Sequence, residues 1–157
     1  MLHRDFKEFL KELDAHGVRY LLVGGYAVGR HGHPRYTNDL DVFVEPGEAN
    51  ADRLVAAFSD FGFPNTTTRE DFLEPDRYLA IGQEPLRIHV LTGIPGVTFG
   101  ECYKRRVFLR DGALKIPVIG LEELIRNKEA TGRTIDRQDL IELRKSRERQ
   151  RRKNRPR

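Results

Sequence analysis

Asp39 and Asp41 flank a single leucine, just ahead of the apolar Val42-Phe43-Val44. Residues i and i+2 of a strand point to the same face, so the two carboxylates are expected to converge on one spot. Like charges that close repel, which calls for a cation or a shared proton. Carboxylate oxygens are hard ligands suited to Mg²⁺, which takes one or two of them together with substrate phosphates. Phosphoryl and nucleotidyl transfer use such sites to orient an attacking oxygen and neutralise developing charge. Upstream, Gly24-Gly25 closes the apolar run Val18 to Val23. A glycine pair lets backbone N–H groups approach a polyphosphate closely. A helix opening at Tyr26 would add the partial positive charge of its N-terminus. Arg30, His31, Arg35 and Thr37 lie between the two motifs, placed to reach phosphate oxygens.

The surrounding pattern supplies elements to hold these groups. Phe6, Phe9, Leu10 and Leu13 fall at i, i+3, i+4 and i+7, which predicts an amphipathic helix over 5–16. Val18–Val23 reads as a strand, 26–30 as a short helix, 31–37 as a loop and Leu40–Val44 as a second strand. A helix follows over 49–61, then a polar loop over 66–76, and strands at 78–81 and 86–91. A short helix is expected over 97–103. Strands at 107–109 and 114–118 flank Asp111-Gly112, a hairpin signal. Helices over 121–131 and from Asp136 to about Arg149 end the series, with fraying beyond. The order predicts an α/β or α+β fold, a mixed sheet with flanking helices.

The strand–Gly-Gly–helix segment Val23-Gly24-Gly25-Tyr26-Ala27-Val28 and the stretch from Arg35 through Asp39-Leu40-Asp41 to Val44 resemble the DNA polymerase beta-type nucleotidyltransferase superfamily. Within it the chain looks like small bacterial proteins of the minimal and AbiEii-toxin type. Ile119 to Leu140 is similar to the C-terminal helices of that group, and the resemblance covers roughly residues 5–143. It implies a sheet in which the Gly-Gly helix lies beside a strand carrying two metal-binding aspartates. It also implies transfer of NMP from an NTP to a hydroxyl of RNA (such as tRNA) or protein, with release of pyrophosphate, Mg²⁺ or Mn²⁺ as the metal, and a toxin–antitoxin setting. By position, Gly24 and Gly25 match the phosphate-binding pair and Asp39 and Asp41 the metal ligands. Lys128 matches a lysine that approaches the nucleotide phosphates.

One position departs from the pattern. Relatives carry a third carboxylate in a stretch like Arg-Ile-Asp-Leu-Leu-Thr, whereas this chain reads Arg87-Ile88-His89-Val90-Leu91-Thr92. A neutral imidazole at His89 could serve as a base near neutral pH or ligate a softer cation such as Mn²⁺ or Zn²⁺. Alternatively His89 is a packed residue, and the chain is a catalytically weakened nucleotide- or nucleic-acid-binding module of the same fold.

Charge divides the 157-residue chain in two. Residues 144–157 hold nine Lys/Arg against one Glu, a net of +8; the total of +4 leaves −4 for the remainder. This sets a domain over 1–143 apart from a flexible basic tail over 144–157. In the tail, Arg144, Lys145, Arg147, Arg151, Arg152 and Lys153 are candidate nucleic-acid contacts. Such a tail would equally attract an acidic antitoxin, or simply be solvated. No apolar run approaches the ~20 residues that span a bilayer, and the first residues carry no apolar stretch of the signal-peptide kind. The single cysteine, Cys102, excludes an internal disulfide and a Cys-rich zinc site, and fits a reducing cytoplasm.

Overall fold

The computed structural model describes residues 2–156. Six strands form one mixed sheet in the order β3-β4-β2-β1-β6-β5. The two innermost strands carry the site. β1 (Tyr20–Val23) is buried along its whole length, and β2 (Asp39–Val44) runs antiparallel to it, with Val23 opposite Asp41. β4 (Leu86–Leu91) lies parallel to β2 and places Arg87 beside Asp39 and His89 beside Asp41. β3 (Tyr78–Gln83) closes that edge as a hairpin with β4. β5 (Val107–Asp111) and β6 (Leu114–Val118) form the other, through the expected hairpin.

The helices cover the sheet through their apolar faces. α1 (Arg4–Ala15) buries Phe6, Phe9, Leu10 and Leu13, the four residues its period selects. Each such side chain contributes about 1.5–3 kcal/mol when fully removed from water. Phe9 packs edge-on to Phe58 and Phe61 of α3 (Glu48–Phe61), at 5.5 and 5.2 Å between ring centres. Asn50 of α3 is buried, and its amide donates to the carbonyls of Arg19 and Glu45 while accepting from the Arg19 N–H. That side chain pins the entry of β1 to the exit of β2. α2 (Gly24–Arg30) links β1 to the loop before β2, and α4 (Phe99–Lys104) precedes the β5–β6 hairpin. The segment expected as a loop over 66–76 contains a 3-10 turn, Arg69–Phe72, held by reciprocal Thr68 and Asp71 hydrogen bonds to each other's backbone. Its Phe72 enters the core.

α5 (Leu121–Thr131) and α6 (Thr134–Lys153) end the fold. α6 runs past the expected stop near Arg149, so most of the stretch expected to be a flexible tail is helical. Its inner face buries Asp136, Asp139, Leu140, Leu143 and Ser146. Arg147 and Arg151 reach Glu122 of α5, and Glu148 pairs with Arg152 one turn on. Those contacts stabilise a region that apolar periodicity alone does not define. No helix among the described residues is long and apolar enough to cross a membrane.

Candidate active site

β2 alternates half-buried Asp39 and Asp41 with fully buried Leu40 and Val42, as a strand with one solvated face must. The Asp41 carboxylate is held from two sides. Its Oδ1 lies 2.9 Å from Nδ1 of His89 on the neighbouring strand. Its Oδ2 lies against the Cα of Gly24, where an added Cβ would come within 2.1 Å of it. Gly24 also has φ of +68°, a conformation that L side chains rarely adopt. Glycine is therefore needed there twice over, for the turn from β1 into α2 and for room beside Asp41. Gly25 meets a different neighbour: a Cβ would fall 2.9 Å from Cβ of Thr37. The Thr37 hydroxyl lies between the Asp39 N–H, at 3.4 Å, and the Asp39 carbonyl, at 3.3 Å, and shapes the entrance to β2.

A cavity of about 510 Å³ opens over this end of the sheet. Gly24, Asp41, His89, Tyr78, Asn127 and Arg133 are among its walls. Its size falls within the range of small-ligand sites. Tyr78 is 59% exposed at the rim, with its ring 5.2 Å from that of His89. Arg133 hydrogen-bonds Asp136, which raises its pKa; burial works against this, and the charges of Asp136, Asp41 and Asp139 reinforce it. The hydrogen bond to Asp41 raises the His89 pKa above the usual imidazole value, against burial and with the help of the Asp41 and Asp39 charges. His89 Nε2 is buried without a hydrogen-bond partner. The imidazole thus presents Nδ1 to Asp41 and holds that carboxylate in place.

Two residues expected to reach phosphates are engaged elsewhere. Lys128 is 3% exposed, with Nζ 2.8 Å from Asp136 Oδ1 and 3.3 Å from Asp139 Oδ2. Arg35 makes a two-pronged pair with Asp139, at 2.9 and 3.0 Å. The partners are aspartates at i and i+3 on α6, which face inward and clamp that helix to α5 and to the loop before β2. Burial raises the Asp136 carboxyl, but hydrogen bonds from Arg133, Lys128 and Thr131 outweigh it and hold the group far below the ordinary carboxylate range. Arg35 lies on the wall of a second cavity and Lys128 on the wall of the first. Of the six basic candidates on α6, Arg144, Lys145, Arg147, Arg151 and Arg152 each pair with a glutamate.

The donor set suits a divalent cation held by one or two carboxylates, the rest of its shell coming from water and phosphate oxygens. Asp39, Asp41 and His89 do not draw three ligand atoms into one tight cluster. Among the described residues the trio that does is Glu12, His16 and Asp60, within 4.8 Å of one another, between α1 and α3 and away from the cavity. Tyr78, Asn127 and Arg133 line the cavity although no motif in the sequence assigns them to it. The usable signal was the spacing of Asn127 and Thr131, one helical turn apart on the face of α5 that lines the cavity.

This is a nucleotidyltransferase-like fold: a mixed sheet in which a Gly-Gly turn abuts an aspartate-bearing strand. The chain is similar in structure to an antigenic nucleotidyltransferase-like protein from Paracoccidioides brasiliensis, with 17% identity, a TM-score of 0.52, and coverage of 88% of this chain and 74% of that one. It is similar to TM1012, a candidate nucleotidyltransferase from Thermotoga maritima, at 18% identity and a TM-score of 0.59, over 88% and 89% of the two chains. It also matches the lincosamide antibiotic adenylyltransferase LnuA in its lincomycin-bound form, at 13% identity and a TM-score of 0.56, over 92% and 97%. At these identities the likeness is one of fold. No family model and no curated protein sequence matches the chain.

Proposed function

We propose that the protein transfers a nucleoside monophosphate from an NTP to an acceptor hydroxyl, with the Asp41 cavity holding the nucleotide. The observation that carries this reading is the fit of Gly24 against Asp41. A bare backbone and a fixed carboxylate meet at the mouth of a cavity sized for a nucleotide. Asp41 and Asp39 would hold Mg²⁺ or Mn²⁺, which would supply charge neutralisation at the phosphates. The open backbone at Gly24 gives the polyphosphate room to lie close. Arg133 uses Nε and one terminal nitrogen on Asp136 but is 67% exposed, so its remaining N–H groups would take phosphate oxygens, and the exposed Tyr78 ring would stack on the base. In the transfer, the acceptor hydroxyl gives up its proton to solvent, its oxygen forms a bond to the α-phosphorus, and the bond from that phosphorus to the bridging oxygen breaks, so that pyrophosphate leaves. His89 acts as a positioning residue that sets the Asp41 carboxylate, because its second nitrogen is buried away from the cavity's solvent.

One observation favours a second reading, a nucleotide-binding module with weakened catalysis. The third carboxylate of the resembled pattern is replaced by His89, which occupies one oxygen of Asp41. Calorimetry with NTP and Mg²⁺ or Mn²⁺, alongside label transfer from NTP to RNA or protein, separates the two. Binding with transfer supports the enzyme, binding without transfer supports the module, and absence of binding removes both.

A further inference from the structure

A second cleft lies on the other side of the glycine pair. Its volume is about 530 Å³, and Gly25, Tyr26, Arg30, Tyr36 and Thr37 are among its walls. It sits next to the other aspartate. Thr37 bonds the Asp39 backbone, and Asp39 is close enough to help raise the Tyr26 pKa, after burial and the neighbouring Tyr36. Tyr36 stands at the lip, 84% exposed, more than any other large hydrophobic residue among those described.

Arg30 is shared between this cleft and a groove of about 260 Å³ along α6, where Arg149 and Lys153 form the opposite wall. Among the described residues, none of these three cations is paired with a carboxylate. The Arg30 guanidinium donates to the Phe108 carbonyl and Arg149 donates to the Ser146 hydroxyl. On α6, Arg144, Lys145, Arg147, Arg151 and Arg152 are paired with glutamates, whereas Arg149 and Lys153 face this groove unpaired. Among the described residues, no aspartate or glutamate lines the cleft or the groove, whereas the first cavity contains Asp41. The groove is also firmly built. Gly32 lies so close to α6 that an added Cβ would come within 2.9 Å of Ser146 Oγ, and Ser146 is buried.

We infer that the cleft at Tyr26 and Tyr36 receives the end of a single-stranded RNA, whose phosphates follow Arg30, Arg149 and Lys153 along α6. This names the acceptor side and rests on the nucleotidyl-transfer reading above. An exposed tyrosine beside a carboxylate-free cationic groove matches how unpaired nucleic acid is held, with a ring for a base and cations for the backbone. RNA is the fitting source because it presents unstacked bases in its loops and ends. The terminal hydroxyl would then approach from the Asp39 side while the NTP lies on the Asp41 side.

The test uses the full chain and a short single-stranded RNA with a 5′-fluorescein, read by anisotropy with and without a non-hydrolysable NTP. Tyr36→Ala is expected to weaken RNA binding about tenfold. Arg149→Ala with Lys153→Ala is expected to weaken it and to flatten its salt dependence by roughly two phosphate contacts. Both variants should bind NTP as the parent does by calorimetry, and saturating NTP should leave RNA bound. A blunt duplex of the same sequence should bind as poorly as Tyr36→Ala binds the single strand. RNA affinity unmoved by both variants, or displacement of RNA by NTP, overturns the inference. So does a loss caused by Tyr78→Ala instead, or binding of an acidic polypeptide but no RNA. If the parent binds no NTP while RNA responds as stated, the transfer reading fails and the RNA cleft stands.

Discussion

Replacing Gly24 by alanine tests the packing at the centre of the site. An L side chain in the left-handed region costs about 1–2 kcal/mol. The new Cβ would start 2.1 Å from Asp41 Oδ2, well inside van der Waals contact, so the carboxylate must move. It cannot move freely, because its other oxygen is hydrogen-bonded to His89 at 2.9 Å. Losing that bond to a charged group adds about 1.5–3 kcal/mol. Together the two terms make Gly24→Ala destabilising by about 2.5–5 kcal/mol. Gly29 in the same helix provides the contrast. Its Cβ would meet nothing closer than 3.8 Å, from Pro34, so Gly29→Ala should stabilise by about 0.5–1 kcal/mol through helix propensity. Urea denaturation measures both, and calorimetry should show NTP affinity falling only in Gly24→Ala. A Gly24→Ala protein within about 0.5 kcal/mol of the parent, with NTP affinity intact, would refute this packing argument.

Further outcomes follow from the charge networks. Lys128→Met leaves Asp136 and Asp139 short of a buried cation and should cost about 3–5 kcal/mol in chemical denaturation, where a lysine serving only phosphates would leave stability unchanged. Asp136 has a depressed pKa in the folded state, so its stabilising contribution is full above the ordinary carboxylate value and is lost as pH falls through the folded value. Asp136→Asn should therefore lower stability at neutral pH while reducing the drop in stability below about pH 4, read from acid titrations of the urea midpoint. His89→Asp restores the third carboxylate and should tighten Mn²⁺ binding several-fold, measured by the loss of free-Mn²⁺ paramagnetic resonance signal; weaker binding would count against His89 standing beside the metal position.

Local pattern carried far into this fold, and long-range pairing set its limits. Leu86–Leu91, Leu114–Val118 and Leu121–Thr131 have the bounds that alternation and helical period give. The strand order has no such local signal, so the pairing of Asp41 with His89 across β2 and β4 was accessible only through a resemblance to relatives. The Lys128 environment was hidden for a related reason. Asp136 and Asp139 look like the polar face of a surface helix, and only the packing of α6 on α5 turns them inward. The 3-10 turn over Arg69–Phe72 was legible in principle, since Thr68 and Asp71 have capping-box spacing. In the basic segment, the sequence displays charge but not its neutralisation, so Arg149 emerges as an unpaired cation only beside Arg30 and Ser146.

The central proposal is that an NTP bound at Gly24 and Asp41 transfers its nucleoside monophosphate to an acceptor hydroxyl and releases pyrophosphate. Parallel reactions with α-labelled and γ-labelled NTP, in the presence of Mg²⁺ or Mn²⁺ and an RNA or protein acceptor, test it most directly. The account predicts that the α-label becomes acid-stable on the acceptor, that the γ-label leaves as pyrophosphate, and that Asp41→Asn abolishes both. Transfer of the γ-label, undiminished transfer by Asp41→Asn, or no transfer of either label would contradict it.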